Sequence, residues 1–132
     1  MKKEYHQKHF FLVRVSDNKV VGMINIRLEL NKRLRESGGH IGYSIRPTER
    51  KKGYNKINLY LGLIECQKHG IKEVLLDCDK SNLGLSKTMI ALGGVLMCEY
   101  HYEDTTFQKY SINVDESIER YKEQYGTKVK LK

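Results

Sequence analysis

The residues with the clearest chemical potential form a basic loop, IRPTERKKGYNK, at positions 45–56. Its cations around the one glycine are Arg50, Lys51, Lys52 and Lys56. Cations attract phosphate groups, and Gly53 lets the backbone approach such a group closely. The loop is therefore a candidate phosphate-binding site, although a solvated run of charge beside an ordinary helix accounts for the same composition.

The spacing of the glycines excludes two common nucleotide-binding loops. The pattern GxxxxGK[ST] does not occur in the chain, and Gly53 is not part of a GxGxxG pattern. These two results disfavour a mononucleotide triphosphate site and a dinucleotide site.

The cysteines and histidines do not have the spacing of metal ligands. Cys66, Cys78 and Cys98 lie in apolar runs without CxxC spacing, which predicts reduced thiols in the core. His6 and His9 are three positions apart, but no further ligand stands nearby. We therefore predict no metal site.

The composition predicts one globular domain over residues 1–132, since 30% of the residues are charged and 39% are hydrophobic. The net charge of +8 attracts anions of any kind, including nucleic acid, phosphorylated cofactors and acidic membranes. Aromatic residues alternate with basic ones in KEYHQKHFF and ERYKEQYGTKVK, but no nucleic-acid recognition motif accompanies them. No apolar run approaches the roughly 18 residues that span a bilayer, and no signal peptide is evident. The sequence thus disfavours nucleic acid and membranes as partners and predicts a cytoplasmic protein.

The first half of the chain alternates between strand and helix patterns. Residues 10–15 and 20–30 alternate in polarity around the turn SDNK and predict a hairpin. The predicted strand 40–45 leads into the basic loop, an amphipathic helix follows from Tyr54 to Lys68, and the apolar run 73–79 predicts a buried strand. This order predicts that strands 40–45 and 73–78 run parallel, joined by a right-handed helical crossover.

The second half predicts a helix, a second hairpin and a short terminal helix. Ser81 is the expected N-cap of the helix that Gly93 ends. Strands follow at 95–102 and 106–114, and residues 115–132 form an extension with a frayed basic tail. The fold class is therefore α+β: a mixed, mostly antiparallel sheet that contains one parallel pair.

Two linked motifs resemble a known family. HIGYSIRPTERKKGYNK, followed by EVLLDCDKSNLGLSKTMIALGG, is similar to the core of the GNAT superfamily of N-acetyltransferases. Arg50, Gly53, Asn82 and Gly93 match its pattern in type and spacing, and the resemblance covers about residues 10–113. Two motifs at the expected separation are more specific than the loop alone.

The resemblance implies an acetyl-coenzyme A (acetyl-CoA) site beside two splayed strands and an amine acceptor. The implied cofactor-binding residues are Ser44, Ile45, Arg50, Lys51, Lys52, Gly53, Tyr54, Asn55, Asn82 and Ser86. In this reading the backbone N–H of Ile45 polarises the thioester carbonyl, and His40 stands near the usual position of the general base.

The chain departs from the family pattern at positions that matter for catalysis. Asn55 replaces the usual glycine or alanine of the loop, and Met89 replaces a tyrosine that protonates the leaving thiolate in many relatives. Tyr102 or Tyr43 could substitute for that tyrosine. The first strand and two helices of the family have no counterpart before residue 10, which predicts a homodimer or other homo-oligomer that covers the exposed surface. The alternative to an active enzyme is a truncated, non-catalytic relative that binds coenzyme A (CoA) weakly or acts as an assembly module.

Overall fold

A computed structural model describes residues 7–30, 39–125 and 129–132. The strands are β1 (Gln7–Arg14), β2 (Lys19–Arg27), β3 (Ile41–Ile45), β4 (Glu73–Asp79), β5 (Val95–Tyr102), β6 (Thr105–Asn113) and β7 (Val129–Leu131). The helices are α1 (Tyr54–Lys68), α2 (Leu83–Ala91) and α3 (Val114–Tyr121), and a short 3-10 turn spans Pro47–Glu49. The strands form two antiparallel sheets, in the orders β3-β2-β1-β7 and β4-β6-β5.

The first sheet is built on the predicted hairpin. Polarity alternates along β2, where Ile24 and Ile26 are buried and Met23 is exposed, so one face of the sheet packs on the core. Asn18 adopts a left-handed conformation in the turn, which asparagine tolerates better than most residues. The hairpin is therefore confirmed, with β1 starting three residues earlier than predicted.

The end of the chain completes the first sheet. The predicted frayed tail is instead strand β7, in which Leu131 pairs with Leu12 of β1. Lys132 and Phe11 exchange two backbone hydrogen bonds, at 2.9 and 2.8 Å. Residues 129–132 pair with β1 because its outer edge offers unpaired backbone groups that a short strand satisfies.

The two sheets meet at one point, next to the start of β3. Within the described residues, strands β3 and β4 belong to different sheets, and a single bridge of antiparallel sense joins Gly39 to Leu76. Beside it, the N–H of His40 donates to the carbonyl of Leu75 at 2.7 Å. Strands β3 and β4 are thus not joined along their length, which agrees with the splayed strands that the family resemblance implies.

Helix α1 packs across both sheets and occupies the predicted range. Its buried residues Leu59, Leu63 and Cys66 join a cluster with residues of both sheets, such as Ile24 and Leu76. Burying each leucine contributes about 1.5–3 kcal/mol, so α1 fixes the sheets relative to each other.

Helix α2 begins one residue later than its predicted cap implied. Asn82, not Ser81, is the N-cap, because its side chain accepts the N–H of Leu85 at 3.2 Å. The N–H and hydroxyl of Ser81 both donate to Asp79 instead, at 2.9 and 2.8 Å.

The cysteines are free, but only two are in the core. Cys66 and Cys78 are buried, and burial raises the pKa of Cys66 to about 12. Cys98 is exposed on β5, so its predicted core position is wrong. Within the described ranges no cluster of three His, Cys, Asp or Glu side chains could hold a metal ion. No helix there is long and apolar enough to cross a membrane.

The junction of the sheets predicts a large cost for adding one methyl group at Gly39. This glycine has a φ of +71°, and an added Cβ would lie 2.4 Å from the carbonyl oxygen of Leu75. Gly70, the matched control, has a φ of +78° with open space around it. We expect Gly70→Ala to cost about 1 kcal/mol through backbone strain alone, and Gly39→Ala about 1–3 kcal/mol more through overpacking. Urea unfolding of both variants measures the difference, and equal costs would show that the close approach at Gly39 is unimportant.

Candidate active site

One cleft of about 470 Å³ opens where β3, the basic loop, α1 and the start of α2 meet. Residues from all four segments line it: Tyr43, Ser44, Ile45, Glu49, Arg50, Lys51, Gly53, Tyr54, Asn55, Lys56, Asn82, Gly84, Leu85 and Thr88. Eight of the ten predicted cofactor-binding residues are among them. The two that are not are Lys52 and Ser86.

The register of β3 determines which backbone groups face the gap between the sheets. The N–H of Arg46 donates to Val21 at 2.8 Å, and the N–H of Arg27 donates to the carbonyl of His40 at 2.7 Å. Because hydrogen bonding alternates along an antiparallel pair, the even-numbered residues of β3 bond to β2 and the odd-numbered ones point away. Tyr43 and Ile45 therefore direct their backbone groups into the gap.

This register corrects one expectation and supports another. Ser44, which the family resemblance placed against the cofactor backbone, uses its own backbone groups on the β2 side and reaches the cleft with its side chain. Ile45 directs its N–H toward the gap, and its carbonyl accepts a hydrogen bond from Nε of Arg50 at 3.1 Å. The predicted oxyanion donor thus has the required direction.

The basic loop leads into an uncapped helix. Gly53 is the N-cap of α1, with a φ of +85°, and no side chain accepts a hydrogen bond from the first turn. The other two helices are capped by asparagine side chains, Asn82 on α2 and Asn113 on α3. Unpaired N–H groups and the positive end of the helix dipole make the start of α1 a suitable anion site. An added Cβ at Gly53 would meet no atom within 4 Å, so the space in front of the helix is open.

The loop is held in place by a buried carboxylate that the sequence reading overlooked. Glu49 is 4% exposed and bonds to Arg14 at 2.9 Å, Lys19 at 3.1 Å and Lys52 at 3.0 Å. The hydrogen bonds from Lys52, then Lys19, then Arg14 lower the pKa of Glu49 to about 2. Lys52 is therefore committed to Glu49 and does not line the cleft, contrary to its predicted phosphate contact. A single acid within a basic loop was the only signal in the sequence for this role.

Two residues that line the cleft each carry a buried oxygen atom that has no hydrogen-bond partner. These atoms are the hydroxyl of Tyr43 and Oδ1 of Asn55. Burial, and then the nearby thiol of Cys78, raise the pKa of Tyr43, so its hydroxyl is protonated at neutral pH. Buried polar groups are almost always paired, so these two oxygens are exceptions within the described residues.

The residues of α2 divide between cleft and core. Asn82 lines the cleft and caps the helix with the same side chain. Ser86 is 7% exposed, and its hydroxyl donates to the carbonyl of Leu83 at 3.2 Å. It does not line the cleft, although the sequence predicted that it would bind the cofactor. Met89 is 1% exposed and has no group that could donate a proton.

His40 and Tyr102, the side chains predicted to be catalytic, do not line the cleft. Nδ1 of His40 accepts the N–H of Leu75 at 3.0 Å, at the junction of the two sheets. A neutral imidazole in this tautomer carries its proton on Nε2 and has no lone pair left for a substrate proton. Tyr102 is 61% exposed at the end of β5 and does not line the cleft.

The salt bridges of Glu49 predict acid-sensitive stability. A carboxylate with a lowered pKa in the folded state stabilises the fold above its unfolded pKa, and this stabilisation is lost as the pH falls toward the folded pKa. The advantage of the wild type over Glu49→Gln should therefore be full at pH 7 and disappear between about pH 4.5 and pH 2. Urea midpoints across this range measure it. Glu123→Gln, at an exposed position, should stay within about 0.5 kcal/mol of the wild type, and a pH-independent difference for Glu49→Gln would contradict the assignment.

Comparison with known proteins identifies the family. The model of the acetyltransferase (GNAT) family matches residues 2–88, and no curated protein matches the chain. Among solved structures, the putative acetyltransferase yncA from Salmonella typhimurium, with its cofactor acetyl-CoA, has a TM-score of 0.62 at 13% identity over 74% of this chain. The present chain spans 60% of the length of yncA.

Two further structures share the fold at similarly low identity. A spermidine N-acetyltransferase SpeG variant from Vibrio cholerae has a TM-score of 0.70 at 15% identity, over 87% of this chain and 70% of its own. Ribosomal-protein-S5-alanine acetyltransferase from Vibrio fischeri has a TM-score of 0.68 at 19% identity, over 86% of this chain and 65% of its own. The α+β fold predicted from the sequence is thereby confirmed. Since the family model covers more than half of its length, the chain belongs to the acetyltransferase (GNAT) family.

Proposed function

We propose that this protein is an acetyl-CoA-dependent N-acetyltransferase that transfers an acetyl group to a primary amine of a small molecule or a protein. The observation that carries the proposal is the cleft itself. It brings the uncapped start of α1 and the outward-facing backbone of β3 to one opening, together with the cations of the loop. A diphosphate followed by an extended amide chain has the chemistry that this combination can bind.

The residues of the cleft fit the two parts of the cofactor. The diphosphate would bind the N–H groups at the start of α1, with Arg50, Lys51 and Lys56 supplying positive charge. The pantetheine amides would pair with the outward backbone groups of Tyr43 and Ile45, as an added strand pairs with a sheet edge. When bound, acetyl-CoA supplies an acetyl group activated as a thioester.

In the proposed reaction the cleft residues polarise the acetyl carbonyl and exclude water, and they do not take up the proton of the amine. The N–H of Ile45 would donate to the acetyl carbonyl and stabilise negative charge that develops on its oxygen. An amine must be neutral to attack, and its proton must then leave. Because Nδ1 of His40 is already a hydrogen-bond acceptor, we assign the proton to solvent water in place of the base predicted from the sequence.

The buried methionine at position 89 favours a second candidate function. A chain without the usual proton donor on α2 could bind CoA without transferring acetyl groups and act as a binding or assembly module. Turnover distinguishes the two candidates, because both predict cofactor binding and only the first predicts release of free thiol.

We also propose a cytoplasmic location and a homodimer. The location rests on three free cysteines, one of them exposed, which a reducing compartment maintains. The dimer rests on β5, the outer strand of the second sheet, which has no further strand partner within the described residues. Val95, Leu96 and Met97 on this strand are 62%, 47% and 56% exposed, which is typical of an edge that associates with another strand.

The dimer proposal predicts a concentration-dependent mass. Met97→Lys should shift the protein to monomer, since a lysine on an edge strand blocks strand pairing. Phe11→Lys is the matched control, because Phe11 is 53% exposed on the other sheet. Sedimentation velocity at micromolar concentration measures the change. A wild-type protein that stays monomeric would overturn the proposal, and dissociation by both variants would place the interface elsewhere.

The cofactor proposal predicts different effects of glutamate at the two ends of α1. Gly53 and Gly70 are both left-handed, with φ values of +85° and +78°, and both have open space around them. Glutamate therefore imposes similar strain and the same charge at either position, but only Gly53 lines the cleft. Calorimetric titration with acetyl-CoA should show at least about a tenfold loss of affinity for Gly53→Glu, or 1.4 kcal/mol, and little change for Gly70→Glu.

The same two variants test activity. With a panel of amines that includes polyamines and peptides with free N-termini, the wild type and Gly70→Glu should release CoA thiol, and Gly53→Glu should not. If acetyl-CoA binds but no amine yields thiol, the non-catalytic module is the better description. If acetyl-CoA does not bind the wild type, both candidate functions are wrong.

A further inference from the structure

A small apolar cluster, separate from the main core, shares two residues with the cleft. Its fully buried members come from the first three strands, and partly buried side chains of α1 and β7 pack against them. The members of this Leu12 cluster are Leu12, Val21, Ile45, Tyr54, Ile57, Leu61 and Leu131. Ile45 and Tyr54 also line the cleft, so the packing of the cluster fixes part of the cleft wall.

The strand register places members of the cluster in one row across the first sheet. Ile45 lies opposite Gly22, Gly22 opposite Leu12, and Leu12 opposite Leu131. Gly22 leaves space in this row for the side chain of Ile45, because an added Cβ would lie 2.8 Å from Cδ1 of Ile45. The row therefore runs from β3, which lines the cleft, to β7 at the opposite edge of the sheet.

Leu131 is the side chain through which β7 enters the cluster. Side chains alternate along a strand, so Lys130 is exposed whereas Leu131 is partly buried. Lys132 and Phe11 hold the strand in this register by their two backbone hydrogen bonds. None of the described residues of β7 lines the cleft, so any effect of this strand on a ligand passes through its neighbours.

A second connection between β7 and the cleft passes through Arg14. This last residue of β1 pairs with Val129 of β7. Its guanidinium donates to Glu49 at 2.9 Å and to the hydroxyl of Tyr54 at 3.3 Å. Tyr54 therefore receives both connections, since its side chain also packs in the Leu12 cluster. Tyr54 is the first residue of α1, where the diphosphate of the proposed function would bind.

We propose that Leu131 is a positioning residue for the cofactor: by filling the Leu12 cluster it holds Ile45 and Tyr54 in the geometry that binds acetyl-CoA. The inference rests on the proposed function, because it concerns the same cleft. Protein interiors are close-packed, so the loss of one side chain lets its neighbours shift. Without Leu131 the binding geometry is occupied for a smaller fraction of the time, and the apparent affinity falls in proportion to that fraction.

Leucine-to-alanine substitutions at two sites test this role. Leu28 is the matched control, because it is also partly buried but packs against the main core and lies outside both the cleft and the Leu12 cluster. Calorimetric titration with acetyl-CoA should show about a three- to tenfold loss of affinity for Leu131→Ala and a change within about twofold for Leu28→Ala. Leu131→Met, which nearly restores the volume, should bind within about twofold of the wild type.

The contrast between the two alanine variants separates positioning from general stability. A lower free energy of unfolding leaves the molecules that remain folded with their normal affinity, so it does not weaken binding by itself. Wild-type affinity in Leu131→Ala would overturn the proposal, and so would equal losses in both variants.

Coupling between β7 and the cleft must act in both directions. Acetyl-CoA should therefore slow hydrogen exchange at the amides of Phe11 and Lys132, which bond to each other across β1 and β7. The amide of Val114, which donates to Lys72 at the far end of the second sheet, is the reference for global stabilisation. We expect about a threefold or larger slowing at Phe11 and Lys132 beyond that at Val114. Equal slowing at all three amides would show that β7 and the cleft are not coupled.

Exchange in the free protein separates this inference from the proposed function. The N–H of Arg46 donates to Val21 and that of Glu49 donates to Arg46, both at 2.8 Å, so these amides report on the loop without a ligand. Leu131→Ala should speed their exchange about tenfold relative to Val114 through local opening, and Leu28→Ala should not. If the wild type does not bind acetyl-CoA, the proposed function is wrong, and these rates still decide whether Leu131 positions the loop. Unchanged rates at Arg46 and Glu49 would overturn that role.

Discussion

The architecture depends on a pair of hydrogen bonds between His40 and Leu75. The N–H of His40 donates to the carbonyl of Leu75, and the N–H of Leu75 donates to Nδ1 of the His40 ring. These bonds join the two sheets at one end of β3 and leave the other end unpaired. If β3 paired with β4 along its whole length, the backbone groups of Tyr43 and Ile45 would be hydrogen-bonded to β4 and could not bind a ligand. The cleft thus exists because strand pairing stops after the first contact.

The basic loop next to this opening is anchored to the first sheet by an acid, Glu49. The positive charges of the loop repel one another, and without a nearby acid this repulsion would favour an extended, solvated loop. Glu49 binds Lys52 of the loop together with Arg14 and Lys19 of the β1–β2 hairpin, so the loop is tied to the first sheet. A count of the basic residues in the loop therefore overestimates the number of cations that are available to bind a ligand. The remaining cations near the cleft, such as Lys51 and Lys56, are exposed and can respond to an anion.

The sequence predicted most of the elements and most of the cleft lining, for identifiable reasons. Helix α1 and strand β5 occupy the predicted ranges because their patterns are local and their ends carry clear turn residues. The failures concern interactions between distant segments. Nothing local to Val129–Leu131 indicates that β1 has an open edge for it. The separation of β3 from β4 was implied by the family resemblance and not by any local pattern. The salt bridge between Lys52 and Glu49 likewise belongs to a cluster that includes Arg14 and Lys19, which are distant in sequence.

The neutral and charged parts of the cleft are separated along its length, and this separation has a chemical consequence. The part at Gly53 holds cations and helix N–H groups, which favour an anion, whereas Tyr43, buried Ile45 and partly buried Leu85 supply a less polar part of the lining. A hydrogen bond is stronger where water is excluded, so polarisation of a carbonyl by a single N–H is most effective at the apolar end. A charged amine, by contrast, loses hydration there and is driven toward its neutral form. Under the proposed function, this gradient would favour binding of a diphosphate at the charged part of the cleft and attack by a neutral amine at the apolar part.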